Sequence, residues 1–147
     1  MVKIEPAPAT ALEGVKTLLV EAGLPAEDLT AQHLRHFLVA TDSGELVGGI
    51  GLEPAGATAL LRSLVVTPGR RERGLGAQLA AAAESKAARD GIRQLYLLTT
   101  TAQGFFSKRG YEVIDRSDAP EGLQQTFEFR EACPQTAVCM TRTLIPQ

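Results

Sequence analysis

Leu12, Val15, Leu18, Leu19 and Ala22 recur at intervals of three and four, the spacing of one helix face. Thr10-Ala11-Leu12-Glu13 reads as a capping box at the start, and Gly23 and Pro25 close the segment. A short second helix is predicted over Ala26 to Gln32. From His36 the pattern changes to short apolar runs bounded by turn residues. His36–Thr41, Glu45–Glu53 and Thr58–Val66 read as strands, separated by Asp42-Ser43-Gly44 and Pro54-Ala55-Gly56. Connections this short make the three strands antiparallel. Leu75 to Arg89 is an alanine-rich helix closed by Asp90-Gly91, and Gln94 to Leu98 is a buried-looking strand. A short helix follows over Ala102 to Arg109, ended by Gly110, then strands at Tyr111–Asp115 and Thr136–Leu144. The long helix is the only connection between the strand ending at Val66 and the one starting at Gln94. A helical crossover makes those two strands parallel. Neither a repeat nor a linker divides the chain, so one domain over 1–147 is expected.

Composition narrows the function more than the fold. The chain has 147 residues, 44% hydrophobic and 22% charged, which suits one soluble domain with one core. A net charge of -2 gives no global basic field for nucleic acid or anionic lipid. There is no apolar run near 18 residues and no signal-peptide pattern, so no membrane partner is expected. Two cysteines without an export signal suggest reduced thiols and a cytoplasmic location.

Chemistry enters at Arg70-Arg71-Glu72-Arg73-Gly74-Leu75-Gly76-Ala77, between the strand ending at Val66 and the long helix. A helix N-terminus presents unpaired N–H groups and a partial positive charge. Glycines let a phosphate approach the backbone, and arginines add charge in a fork geometry. There is no Gly-Lys pair for a P-loop. Gly74 and Gly76 begin a G-x-G-x-x-G, but position 79 is Leu, so no dinucleotide site follows. What fits is R-x-x-G-x-G, as Arg71, Gly74 and Gly76. This turn resembles the pyrophosphate loop of the GNAT superfamily of acetyl-coenzyme A-dependent N-acetyltransferases. The element order matches that family over essentially the whole chain, and Phe105-Phe106-Ser107-Lys108-Arg109-Gly110-Tyr111 resembles its F-Y-x-x-x-G-F segment.

The resemblance implies an α/β (α+β) fold with a mixed, mostly antiparallel central sheet flanked by helices. Two splayed parallel strands would form the coenzyme A cleft. It implies acetyl-coenzyme A as cosubstrate, its pyrophosphate on Arg71, Glu72, Arg73, Gly74, Leu75, Gly76 and Ala77. The pantetheine arm would pair with Leu64, Val65 and Val66, and Thr99 and Phe106 would complete the cofactor contacts. Leu98-Thr99-Thr100-Thr101, Phe105-Phe106 and Arg109-Gly110-Tyr111 also resemble the acetyltransferase domain of glutamate N-acetyltransferases. The run onward through Phe129, Cys133-Pro134 and Ala137-Val138-Cys139-Met140 is similar to ArsN-type acetyltransferases associated with arsenic-resistance genes. These imply a small amino-acid-like amine, a glutamate analogue such as arsinothricin or phosphinothricin among them.

Acetyl transfer needs a deprotonated amine, a polarised thioester carbonyl, alignment and a proton for the leaving thiolate. Backbone N–H groups near Val65 would polarise the carbonyl. Many relatives carry a glutamate on the strand before the loop. This chain has none there, and the nearest carboxylate is Glu53, either a base or a solvated strand end. Many relatives also carry a tyrosine where this chain has Phe106, which has no proton to give. Arg62 either clamps a substrate carboxylate in bidentate fashion, or points to solvent or pairs with a neighbouring acid. In the long connection from Asp115 to Gln135, Gln124, Gln125, Glu128 and Arg130 are candidates for lining the amine site; the alternative is a small helical insertion covering a sheet edge, with Phe127 and Phe129 as its buried side. His33 and His36 lie without an evident cysteine or carboxylate cluster, so no metal site is expected. Cys133 and Cys139 leave a thiol-based metalloid binder open, and the missing tyrosine and glutamate leave a non-catalytic acyl-coenzyme A sensor open. Monomer and homodimer are both open.

Overall fold

Three glycines interrupt the second long apolar run, at Gly48, Gly49 and Gly51, and each sits where a neighbour comes close. A computed structural model of the chain describes residues 1–70, 74–134 and 136–144. The run lies in strand β3 (Glu45–Ala55), which follows β1 (Val2–Pro6) and β2 (Phe37–Asp42) and precedes β4 (Thr58–Val66). A Cβ on Gly51 would lie 2.2 Å from the ring of Phe37, its partner across the β2–β3 ladder. A Cβ on Gly48 would stand 2.9 Å from the Val65 carbonyl and 3.1 Å from Leu79 Cδ1. Leu79 belongs to helix α3 (Leu75–Arg89), so the bare backbone at Gly48 lets that helix approach the sheet.

Hairpin geometry follows from the turn residues. Ser43 (φ 51°) and Gly44 (φ 83°) join β2 to β3 with two positive-φ residues, as a type I′ turn requires. The seven strands run in the order β1-β2-β3-β4-β5-β7-β6, with β5 at Gln94–Thr99, β6 at Glu112–Ile114 and β7 at Val138–Thr143. β4 and β5 pair in parallel through Thr58–Gln94, Ala59–Leu95 and Leu60–Tyr96, as a crossover through α3 demands. β7 pairs antiparallel with both β5 and β6. This is the mixed, mostly antiparallel sheet with helices that the resemblance implied.

Two compact units divide the chain: Met1–Glu53 with Arg62–Lys86, and Pro54–Leu61 with Ala87–Gln147. The first has a core of Val15, Leu19, Ala26, Leu29, Leu34, Phe37, Val39 and Val65. Val15 and Leu19 come from helix α1 (Leu12–Glu21) and Leu34 from α2 (Ala31–Leu34). The second gathers Leu60, Tyr96, Ala119, Leu123, Phe129 and Cys139. Leu123 lies on helix α5 (Glu121–Gln124), after α4 (Gln103–Lys108). Phe129 lies in a single π-helical turn, Glu128–Ala132. Arg116 fastens that connection by donating to the carbonyls of Phe129 (2.7 Å) and Pro134 (2.8 Å). Among the described residues no helix is long and apolar enough to cross a membrane.

The structure departs from the sequence expectations at the N-terminal end. Strand β1 was not anticipated; its five residues end in proline and pair with β2 at the sheet edge. Thr10 does not cap α1. It lies inside a 3-10 turn, Ala9–Ala11, whereas an N-cap needs extended backbone. The second helix begins at Ala31 rather than Ala26, because the reciprocal capping forms at Thr30, where the Thr30 N–H donates to His33 Nδ1 at 3.2 Å. α3 keeps its expected bounds and closes in a Schellman arrangement. There Gly91 (φ 85°) allows the Ile92 N–H to reach the Ala87 carbonyl at 2.9 Å.

Gly51→Ala should therefore overpack the Phe37 seat and lower unfolding free energy by about 1–3 kcal/mol. Urea denaturation checks this, and an unchanged midpoint would contradict the packing described.

Candidate active site

The left-handed backbone at Ser63 (φ 61°), in the middle of β4, is one of two positive-φ non-glycine positions among the described residues; the other is the Ser43 turn. Such a conformation costs about 1–3 kcal/mol and persists where surrounding contacts enforce it. The adjoining contact is visible: Arg62 Nε donates to Ser63 Oγ at 3.1 Å.

Arg62 has a side chain with 0% exposure and meets two carboxylates. Its fork grips Asp28, NH1 to Oδ2 at 2.7 Å and NH2 to Oδ1 at 2.9 Å. NH1 also donates to Glu53 Oε1 at 3.0 Å. His33 Nε2 stands 3.7 Å from Asp28 Oδ2. Burial pushes the Asp28 carboxyl up. The Arg62 hydrogen bonds and charge, with a smaller contribution from His33, outweigh burial and hold it below its usual 3.8. Two expectations are revised here. Arg62 spends its fork on the protein's own carboxylates rather than presenting it to a substrate, and His33 does have carboxylate neighbours. Asp28, His33 and Glu53 bring donor atoms within 4.8 Å of one another, a spacing that could suit a divalent ion. The guanidinium already bonds both carboxylates, so the cation of this cluster is Arg62 itself.

The turn expected to hold the cofactor begins where β4 ends. Thr67 N–H donates to the Val47 carbonyl at 2.9 Å, and Pro68–Arg70 form a 3-10 turn. Arg71, Glu72 and Arg73 lie outside the described residues. Gly74 follows at φ 74°, and its carbonyl accepts the first helical bond of α3, from Gln78 N–H at 3.1 Å. Leu75, Gly76 and Ala77 thus fill the first turn, whose N–H groups precede any intrahelical acceptor. Arg70 is held by Asp42 at 2.6 Å, and Asp42 also bonds the terminal ammonium at 2.9 Å. Upstream, Leu64 is half-buried and Val65 and Val66 are buried.

In the second unit, Thr99 Oγ1 accepts the Ala102 N–H at 2.9 Å, before α4. Phe106 is buried edge-on against Phe105 (5.0 Å) and Tyr111 (5.2 Å). Gln124 gives its amide to the Ser117 and Ala119 carbonyls at 2.9 and 2.8 Å, within its own connection. Arg130 is exposed and 3.4 Å from Glu131. Burial pushes the Cys139 thiol to about 11, which keeps it from the thiolate form a soft metalloid prefers.

A profile of the acetyltransferase (GNAT) domain matches residues 33–113. Over 118 residues the chain is 30% identical to an N-acetyltransferase of Chlorobaculum tepidum, covering 77% of this chain and 74% of that protein. An amino-acid acetyltransferase of Aeromonas salmonicida is 31% identical over 74 residues, 50% of this chain and 17% of that protein. In structure the chain resembles N-acetylglutamate synthase of Neisseria gonorrhoeae, solved with coenzyme A and N-acetyl-glutamate. The TM-score is 0.85 at 22% identity, over 99% of this chain and 35% of that one. A GNAT acetyltransferase of Staphylococcus aureus gives 0.79 at 20% identity, over 99% and 100% of the two chains. The chain thus spans a minor part of the Aeromonas and Neisseria proteins. It belongs to the GNAT acetyltransferase family. It is an acyl-coenzyme A N-acetyltransferase with acetyl-coenzyme A as cosubstrate.

Sequence reasoning reached Glu53 and Arg62 and missed Asp28 and His33. No sequence signal joins Asp28 to an arginine 34 residues away.

Two outcomes follow. Gly74→Val forces a β-branched residue into φ 74° and should weaken acetyl-coenzyme A binding about tenfold or more in a folded protein. Calorimetry checks this, and unchanged affinity would remove Gly74 from the cofactor site. Asp28→Asn should lower stability by about 3 kcal/mol at neutral pH. Because the Asp28 value is depressed on folding, its contribution is complete above 3.8 and is lost as pH falls through the folded value. The stability gap between wild type and Asp28→Asn should therefore close in acid. A gap that persists there would contradict the pairing.

Proposed function

We propose that the chain acetylates the primary amine of a small, carboxylate-bearing amino acid, with Glu53 as the base. The observation that carries the cofactor half is the Gly74 turn between β4 and α3. The pyrophosphate would rest on residues 71–77, where the helix N-terminus favours an anion. The pantetheine arm would run along Leu64, Val65 and Val66. The acceptor half is supported by the 31% identity to an amino-acid acetyltransferase.

The acceptor arrives as an ammonium, and the Arg62 cluster suits it, with two carboxylates against one guanidinium. Among the described residues Glu53 Oε2 takes no hydrogen bond, while Oε1 is held by Arg62. The ammonium passes a proton to Glu53, directly or through water. The amine then attacks the thioester carbonyl, whose developing oxyanion meets backbone N–H near Val65. The tetrahedral intermediate collapses by breaking the C–S bond. The nitrogen, positively charged after attack, releases its second proton to water, and the thiolate takes a proton from water, since Phe106 has none to give. A glutamate analogue such as phosphinothricin or arsinothricin is the acceptor we favour, and a cytoplasmic, arsenic-resistance setting is its context.

A panel of amines with acetyl-coenzyme A tests this, with coenzyme A release and product mass both read. Amino acids should turn over at least about tenfold faster than matched amines lacking the carboxylate. Glu53→Gln should cut kcat about a hundredfold with cofactor affinity retained. Preference for amines without a carboxylate would sink the acceptor assignment, and wild-type turnover in Glu53→Gln would remove the base.

A further inference from the structure

A guanidinium has five N–H donors in a plane, and their allocation decides what each neighbouring carboxylate can still do. Arg62 anchors Nε on Ser63 Oγ and gives both arms of its fork to Asp28. Glu53 receives one sideways bond, to Oε1 alone. We infer that Asp28 is a positioning residue for Glu53: by occupying the fork of Arg62 it leaves one Glu53 oxygen for the acceptor.

The competition is geometric. A carboxylate facing both arms of an arginine fork is engaged at both oxygens. With Asp28 in that place, Glu53 keeps its second oxygen. Without Asp28, Glu53, already bonded to NH1, can turn onto the vacated arms and become the bidentate partner with both oxygens spent. Asp28 is itself fixed. It lies beside the buried Ala26 and Leu29, with 13% side-chain exposure. It also faces His33, whose Nδ1 is used by the Thr30 cap, so that the neutral ring carries its hydrogen on Nε2, the atom facing Asp28. Beside Glu53 in this cluster lie Arg62 on β4, Asp28 before α2 and His33 on α2. The inference rests on Glu53 being the base.

Kinetics of Asp28→Asn, Asp28→Glu, Glu53→Gln and the Asp28→Asn/Glu53→Gln pair test it. Asp28→Asn should lower kcat with the amine about tenfold, leave KM for acetyl-coenzyme A unchanged, and move the acid limb of kcat/KM to lower pH. A negative neighbour is gone there and the arginine is no longer shared. Asp28→Glu, which keeps the charge, should restore turnover to within about threefold of wild type. In the Glu53→Gln background Asp28→Asn should add no further loss, since both act on one step. Should Asp28→Asn fail to fold, Asp28→Asn/Arg62→Met replaces it, and the acid limb should then move to higher pH. Wild-type kcat and pH profile in the Asp28 variant, or an equal added loss in the Glu53→Gln background, would overturn the inference. Wild-type turnover in Glu53→Gln would instead overturn the reading beneath it, so the two failures are distinct.

Discussion

A guanidinium with no exposure to water must be neutralised by the protein around it, and most of what is distinctive in this chain follows from meeting that demand at Arg62. The loop before α2 places Asp28 against the fork, the end of β3 supplies Glu53, and Ser63 adopts a left-handed backbone with its hydroxyl on Nε. One buried charge thereby ties three segments of the first unit together. It also gathers two carboxylates of that unit at the strand from which acetyl transfer is proposed to proceed.

The cofactor side depends on a different economy of atoms. Gly48 lets α3 lie close to the sheet, and Gly74 turns the chain into the first turn of that helix. A helix entered through a left-handed glycine leaves the N–H groups of its first turn without intrahelical acceptors. An anion there meets backbone donors that need no reorganisation. Arg70 is bound to Asp42, so its part in the turn is to secure the hairpin end against the 3-10 turn.

The sequence made the repeating parts of the fold legible, and the reasons are physical. β4 and α3 keep their expected bounds because a short apolar run bounded by turn residues and a glycine stop are local signals. The parallel β4–β5 pair followed from crossover length alone. Thr10 was misread as a cap because its neighbours permit a tight turn that its side chain does not announce. Strand β1 exists through pairing with β2, a contact about 35 residues away that no local pattern encodes. The site divides in the same way. Gly74 was visible as a turn residue before a helix. The Asp28–Arg62 fork was not, because a carboxylate in a loop looks the same whether it faces solvent or a buried arginine. Arg62 thus drew two readings from the sequence, and the packing selects the one in which it serves the protein's own acids.

Amide hydrogen exchange with and without coenzyme A tests the central placement most directly, since it reports on backbone donors residue by residue. The account predicts slowed exchange at Leu64 to Val66 and at Gly74 to Gln78 when the cofactor is bound. Protection confined to other segments, with these amides unchanged at saturating coenzyme A, would contradict it.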